Sequence, residues 1–312
     1  MSDAEPVEEQ VSLDRLVALL DLEKVEENIF RGVSPPDSPV RVFGGQVAGQ
    51  ALVAAGRTVP AERHVHSLHA YFIRGGDPRV PIVYQVDRIR DGRSFTTRRV
   101  VAVQHGKAIF SLAASFQKQE DGVTHTTPMP AVPDPESLPT LAERFAEFGD
   151  DMVDYARNRP IDLRYVNDPP WVTRSTGGRT GANQVWMRAN GTLPDDELLH
   201  VCVLTYASDL TLLDSALARH GVYWNMDKVL GASLDHALWF HRPFRADDWF
   251  LYDTDSPTAS GARGLATGRF FARDGTLIAT VVQEGLLRVL DSDADGPDGA
   301  NGDGSEAPGR GD

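Results

Sequence analysis

Asp209 is the first residue in this chain that invites a chemical question. It closes the run Glu197-Leu198-Leu199-His200-Val201-Cys202-Val203-Leu204-Thr205-Tyr206-Ala207-Ser208, which reads as a helix over 196–209 that is apolar on nearly every face. A helix of that kind has to be wrapped by other structure, so its terminal acid lies at the rim of the wrapping or inside it. Such an acid is either a structural hydrogen-bond acceptor or a functional group. The functional reading needs polar side chains from elsewhere to converge on it, and two positions offer them. Ser233 opens Ser233-Leu234-Asp235-His236. Gln283 interrupts an apolar strand between Val281-Val282 and Leu286-Leu287, where an amide needs a hydrogen-bonding reason to be present.

Other reactive residue types read as structural. His64 and His66 share one face of a strand and His69 the other, with no carboxylate or cysteine at ligand spacing, so no metal site is expected. They read as ordinary strand histidines, with His66 or His69 near a pocket. Cys202, mid-helix, reads as buried filler. As the sole cysteine it excludes an intramolecular disulfide and fits a reducing, cytoplasmic setting. Thr176-Gly177-Gly178-Arg179-Thr180-Gly181 has the glycines of a phosphate loop but lacks the Lys-Ser/Thr ending, and is read as a flexible loop. There is no Gly-x-Ser-x-Gly nucleophile elbow.

The elements that must position these residues follow from periodicity. Leu13, Leu16, Val17 and Leu20 mark a short amphipathic helix. A second helix of small residues runs from Gln46 to Gly56, and its Gly44-Gly45 entry permits close backbone approach at the helix N-terminus. From His64 the period falls to two, giving strands at 65–73, 80–90, 93–103 and 108–117, with Asp91-Gly92 and His105-Gly106 as hairpin turns. Five prolines between 128 and 139 mark a linker, followed by a short helix from Thr140 to Phe148. The order then repeats. Strands carry 161–165 and 184–188, the apolar helix follows, and strands at 233–241, 248–257, 262–272 and 277–288 complete the half, with Asp274-Gly275 as a turn. Tyr71-Phe72-Ile73-Arg74 aligns with Trp239-Phe240-His241-Arg242, and Gly106 with Gly275.

The expected fold is therefore α+β: two tandem hotdog domains, each an antiparallel sheet around a central helix, forming an intramolecular pseudo-dimer. The expected boundaries are 12–119 for the first hotdog, 120–158 for the linker and 159–290 for the second. Residues 291–312 form an acidic tail, without an aliphatic beyond Ala, that reads as disordered.

The net charge of −14 is concentrated in the tails. Residues 1–10 carry four acids and no base, and 291–312 carry seven acids against Arg310, which leaves a net −4 over 11–290. No basic stripe suggests nucleic acid, and no apolar run is long enough to span a membrane.

Residues 12–290 resemble the acyl-CoA thioesterase II (TesB-type) family of double-hotdog hydrolases. The resemblance rests on Leu22-Glu23-Lys24-Val25-Glu26-Glu27, on Val42-Phe43-Gly44-Gly45-Gln46-Val47-Ala48-Gly49-Gln50-Ala51-Leu52, and on His66-Ser67-Leu68-His69-Ala70-Tyr71-Phe72. In the second half it rests on Leu234-Asp235-His236-Ala237-Leu238-Trp239-Phe240-His241-Arg242-Pro243-Phe244 and Gln283-Glu284-Gly285. It implies a catalytic Asp, Ser/Thr and Gln that fall on Asp209, Ser233 and Gln283. The Ser233 position is often Thr in relatives, so the hydroxyl is kept and the rotamer-restricting methyl is lost.

The implied reaction is direct attack by water on a fatty acyl-CoA thioester. Asp209 would take the proton, Ser233 and Gln283 would hold the water, and no cofactor would be needed. Backbone N–H groups of Gly44, Gly45 and Gln46 are candidates to receive the thioester oxygen from across the pseudo-dimer. The implied substrates are medium- to long-chain acyl-CoAs, and open sheet edges suggest a homo-oligomer. Two rival readings stay open: a hotdog hydratase using His236 or His241 as proton carrier, and a non-catalytic acyl-CoA-binding module.

Overall fold

The computed structural model describes residues 5–35, 41–224 and 229–290. The acidic tail expected over 291–312 lies outside the described residues. Among the described residues seven α-helices occur in this order: α1 (Glu5–Leu20), α2 (Gly44–Gly56), α3 (Leu141–Phe145), α4 (Asp150–Arg157), α5 (Pro170–Ser175), α6 (Glu197–Ser208) and α7 (Asp214–Ala218). The strands of the first half are β1 (Glu23–Glu26), β2 (Ile29–Gly32), β3 (Arg63–Phe72), β4 (Ile82–Asp91), β5 (Phe95–Gln104) and β6 (Lys107–Lys118). Those of the second are β7 (Ile161–Tyr165), β8 (Ala182–Ala189), β9 (Val229–Ser233), β10 (Asp235–Phe240), β11 (Phe250–Ser260), β12 (Arg263–Ala272) and β13 (Leu277–Val289).

The strands form one antiparallel sheet in the order β1-β2-β4-β5-β6-β3-β10-β13-β12-β11-β8-β7, with β9 added to the end of β13. Read from the β3–β10 seam outward, the two sides have the same order. The equivalence extends to irregularities. Ile109 is skipped in the β5–β6 pairing, and Ile278 is skipped at the matching place in β12–β13. The carbonyl of Ile109 accepts from the Ile73 N–H, and that of Ile278 from the His241 N–H. His66 is skipped between β3 and β6, and its counterpart Leu234 separates β9 from β10. A bulge shared at this level of detail identifies true structural repeats, and it supports the alignment of Phe72 with Phe240.

Several sequence expectations shift by a few residues. The helix expected from Gln46 begins at Gly44, and the strand expected over 233–241 is split at Leu234. The chain after Leu20 adds the β1–β2 hairpin, which periodicity could not find because all four residues of β1 are exposed. The proline-rich linker packs against the second half. Trp186 donates its indole N–H to the Pro133 carbonyl at 2.9 Å, Arg273 pairs with Glu136 at 2.7 Å, and Met129, Val132 and Leu138 cover Trp186, Trp249 and Phe271.

The helix α2 lies antiparallel against α6, backbone to backbone. A β-carbon on Gly45 would sit 2.5 Å from the Tyr206 carbonyl oxygen, and one on Gly49 would sit 3.3 Å from that of Cys202. At the far end Gly56 faces Leu198. Both helices are otherwise buried among apolar side chains. Two glutamines fix α2 lengthwise. Gln46 donates to the Val33 carbonyl at 3.1 Å and to Ser34 Oγ at 3.0 Å. Gln50, fully buried, donates to the carbonyls of Leu19 and Val33 and accepts from the Tyr84 hydroxyl at 2.6 Å. Every polar atom of that amide group is thereby partnered, as its burial requires.

This packing orders two substitutions. Gly45→Ala pushes a methyl against a helix backbone and is expected to cost about 1–3 kcal/mol, the usual cost of overpacking. Gly49→Ala first meets the movable end of Leu20 at 3.0 Å and is expected to cost less. Chemical denaturation of the two variants side by side checks the order.

Candidate active site

The helix α6 starts cleanly. Asp196 caps it by accepting from the N–H groups of Leu198 and Leu199. Its other end delivers Asp209 as the C-terminal cap residue. The Ser208 carbonyl there accepts from the Tyr252 hydroxyl at 2.8 Å, which ties the end of the helix to β11.

The second residue arrives through the bulge. On leaving β9 the chain places Leu234 between two partners: its N–H goes to the Glu284 carbonyl at 2.9 Å, and its carbonyl receives the Phe72 N–H at 2.9 Å. Asp235 closes the bend by accepting the Glu284 N–H at 2.7 Å. Ser233 is thus turned toward the neighbouring strand, where Gln283 waits with its side chain fully buried. A bulge that re-aims one side chain beside a polar cluster is a recurrent device at functional sites.

The three side chains meet through the amide. Gln283 donates one N–H to Asp209 Oδ1 at 2.8 Å and the other to Ser233 Oγ at 2.7 Å. Both amide hydrogens are then used. Asp209 Oδ2 is left as the proton acceptor, and the Ser233 hydroxyl, having accepted, is left as a donor.

The first half supplies the fourth wall. A β-carbon on Gly44 would be 2.6 Å from Asp209 Oδ2 and 2.9 Å from the Phe72 ring, so only glycine leaves this carboxylate oxygen accessible. The helix α2 has no side-chain cap at its start. Its earliest backbone donor used within the helix is Val47, bonded to Phe43 at 3.3 Å. Burial pushes the Asp209 carboxyl up to about 6, opposed by the Gln283 amide and by the Gly45 N–H at the start of α2. The residue keeps a partly accessible edge, so it can exchange protons with a bound molecule. Phe43 stacks edge-on against Tyr206 at 5.1 Å, and Phe72 against Phe110, giving the site apolar flanks.

Asp209, Ser233, Gln283, Gly44 and Gly45 are therefore one constellation built from both halves. The Gln46 side chain is turned to Val33 and Ser34, and only its backbone N–H belongs to the helix start. His66 stands apart. It bonds Ser115 Oγ at 2.8 Å and packs on Phe95. The β3–β10 register puts the site beside Tyr71 and Phe72, six residues or about 20 Å along the strand from His66. Among the described residues no group of three or more His, Cys, Asp or Glu is arranged to hold a metal ion.

Sequence reasoning missed the part played by His236. It is buried, its Nε2 lies 2.8 Å from Ser208 Oγ, and burial pulls its imidazole down to about 4. His241 bonds Thr280 Oγ1 at 2.9 Å instead. Neither histidine has the setting of a proton carrier for a substrate.

The duplicated half carries no second copy of this chemistry. By the shared bulges, Gln283 corresponds to Ala114, Ser233 to Val65 and His236 to Leu68. At the helix end Asp209 is answered by Arg57, the cap residue of α2. The start of α6 is closed by the Asp196 side chain, whereas the start of α2 is open.

Comparison with known proteins identifies the family of the whole chain. The acyl-CoA thioesterase family profile matches residues 156–286, and that of the acyl-CoA thioesterase N-terminal domain matches 34–117. The chain is 44% identical over 291 residues to acyl-coenzyme A thioesterase 8 of Mus musculus, covering 88% of this chain and 89% of that protein. It is 40% identical over 284 residues to acyl-CoA thioesterase 2 of Haemophilus influenzae, covering 88% and 98%. The crystal structure of the acyl-CoA thioesterase II TesB2 from Mycobacterium marinum superposes with a TM-score of 0.73 at 46% identity, over 88% of this chain and 98% of that one. With its fold and both halves accounted for, the chain belongs to the TesB-type acyl-CoA thioesterase family and is a double-hotdog thioester hydrolase.

Proposed function

We propose that this enzyme hydrolyses fatty acyl-CoA by direct attack of a water molecule held between Asp209 Oδ2 and the Ser233 hydroxyl. The observation that carries the reading is the Gln283 amide, which bonds Asp209 Oδ1 and Ser233 Oγ at once and leaves their other lone pair and proton free to hold water. In the forward step the water oxygen bonds to the thioester carbonyl carbon while its proton passes to Asp209. The carbonyl oxygen becomes an oxyanion beside the uncapped first turn of α2, where the N–H groups of Gly44 and Gln46 add to a positive helix terminus. The C–S bond then breaks, and the thiolate of coenzyme A takes the proton back from Asp209. Water is the one co-reactant and no cofactor takes part. The apolar flanks at Phe43, Phe72 and Tyr206 favour a medium- to long-chain acyl group. We place the enzyme in a reducing compartment on the strength of its single buried cysteine, and as a homo-oligomer on that of the open edges at β1 and β7. Among the described residues no helix is long and apolar enough to cross a membrane.

A hydratase reading would need an accessible histidine facing the substrate, and His236 is enclosed. Thiol release measured over a series of acyl-CoA chain lengths tests the proposal. Loss of crotonyl-CoA absorbance without thiol release would overturn it.

Asp209→Asn is expected to lower turnover by about 10²–10⁴-fold, the range contributed by a positioned base, with the fold retained. Among the described residues the duplicated half has Val65 and Ala114 where Ser233 and Gln283 would be needed to supply a background rate. Full turnover in the folded variant would refute the role of Asp209. Gly44→Ala, whose methyl would press on Oδ2, is expected to reduce kcat by at least about tenfold through misplacement of the base, with a smaller effect on stability than Gly45→Ala.

The pH dependence follows from the raised carboxyl. Asp209 acts ionised, so kcat/KM is expected to fall about tenfold per pH unit below about 6. For stability the sign is opposite. The folded carboxyl binds its proton more tightly than the unfolded one, so its ionisation destabilises the fold. That penalty is absent below about 4 and fully present above about 6. Asp209→Asn is therefore expected to be at least as stable as the parent at pH 8, which thermal unfolding at pH 8 and pH 4 checks.

A further inference from the structure

We infer that His236 and Ser208 are positioning residues for the hydrolysis: His236 donates its Nδ1–H to Oε1 of Gln283, and the Ser208 hydroxyl donates to Nε2 and anchors the ring from its other side. This rests on the reading of Gln283 given above.

The inference begins with an unmatched pair of atoms. Gln283 gives both amide hydrogens to Asp209 and Ser233, so its Oε1 needs a donor. Gln283 Oε1 and His236 Nδ1 are both buried, and neither has a hydrogen-bond partner. They lie on adjacent strands one step beyond the Ala237–Val282 pair, and the amide opposes the fall that burial imposes on the ring's pKa. A buried amide oxygen facing a buried ring nitrogen is satisfied only if the nitrogen carries the proton. Were the proton on Nε2 instead, two acceptors would oppose one another in a site closed to water, which is costly.

The ring's other nitrogen has a partner that accommodates this tautomer. The Ser208 hydroxyl has one proton and two acceptors within reach, the Thr205 carbonyl and His236 Nε2, both at 2.8 Å. With the ring proton on Nδ1, Nε2 is an acceptor and the Ser208 proton turns to it. Ser208 is itself buried in the last turn of α6, one residue before Asp209. The chain Ser208, His236, Gln283 therefore leaves α6 and returns to its end, so the acid and the amide that orients it are fixed to one framework. The neutrality that burial imposes on the ring keeps it a fixed donor across the working pH range. The amide has its own need for this support. Its oxygen and nitrogen ends are nearly the same shape, and once Asp209 has taken a proton on Oδ2 its neutral Oδ1 holds the N–H side less strongly. The donor at His236 keeps the amide from reversing during turnover.

Two measurements on the full-length enzyme test this. Long-range ¹⁵N–¹H spectra of histidine-labelled protein, assigned with His236→Asn, should show His236 protonated on Nδ1; protonation on Nε2 overturns the inference without any assumption about folding of a variant. Kinetics by thiol release should show His236→Leu losing about 10–100-fold in kcat, the scale of a misplaced reactive group, with KM within about threefold. His236→Asn, which restores an N–H near the Nδ1 position, should recover most of that loss. Combined with Gln283→Ala, the His236→Leu change should add nothing further. Full activity in Gln283→Ala would remove the catalytic reading itself. A large loss in Gln283→Ala with an equal, additive loss from His236→Leu would leave that reading standing and remove this one.

Discussion

The close contact between α2 and α6 is the constraint on which the rest of the site depends. Glycines at 45, 49 and 56 let the two backbones meet, and the antiparallel crossing brings the start of one helix to the end of the other. A carboxylate at a helix C-terminus faces the negative end of that helix, an unfavourable placement. The open N-terminus of α2 offers the opposite field, and each such effect is worth up to about 2 kcal/mol when partly buried. Without the contact, Asp209 would be a buried acid against the wrong end of a dipole. With it, the acid titrates near 6 and stays ionised at neutral pH. Gln46 and Gln50 matter for the same reason, because they set how far α2 slides along α6.

A two-fold arrangement of repeats offers two such crossings, one at each end of the helix pair, and this chain has made them unlike. At the second end the helix start is capped by its own Asp196, and Val65 and Ala114 occupy the places of Ser233 and Gln283. What remains there is a cleft of about 390 Å³ with Gly56, Val65, Phe116, Leu198 and Val201 on its apolar side and Arg63, His64, Asp195, Asp196 and Glu197 on its polar side. The asymmetry is economical in physical terms. Each active crossing requires a buried, half-neutralised carboxylate and an uncapped helix, both of which cost stability. One copy suffices for turnover, and the other is free to be filled with apolar residues and a capped helix.

Much of this was legible in the sequence, and the reasons differ by residue. Hairpins announced themselves where the turn demands a positive φ: His105 and Gly106 take φ values of 48° and 71°, and Gly275 takes 89°. The central helices were visible because burial on all sides leaves no polar face to write. The hairpin β1–β2 was not visible, since an exposed four-residue strand has no alternation to detect. Asp209 and Gln283 stood out as polar residues in apolar company, Ser233 joined them through the family resemblance, and His66 occupies the bulge corresponding to Leu234, bonded to Ser115. Periodicity assigns residues to faces. It does not say which end of a strand a residue will share with a distant helix.

His236 illustrates the limit most clearly. Adjacent to a matched Leu-Asp pair, it reads from sequence as a candidate proton carrier, because histidine is the side chain whose ordinary titration falls near neutrality. Position reverses that reading. Enclosed behind Gln283, the ring is pulled down to about 4 and loses the property that made it a candidate. It gains in exchange a fixed direction, since a neutral ring between one hydroxyl and one amide has a single tautomer that satisfies both. A group that cannot titrate is the better support for one that must, because the proton moved in each cycle of the proposed mechanism then has only Asp209 to go to. In the proposed mechanism the acid, the amide and the imidazole thus divide the work by burial: the partly accessible group carries the proton, and the enclosed ones hold its geometry.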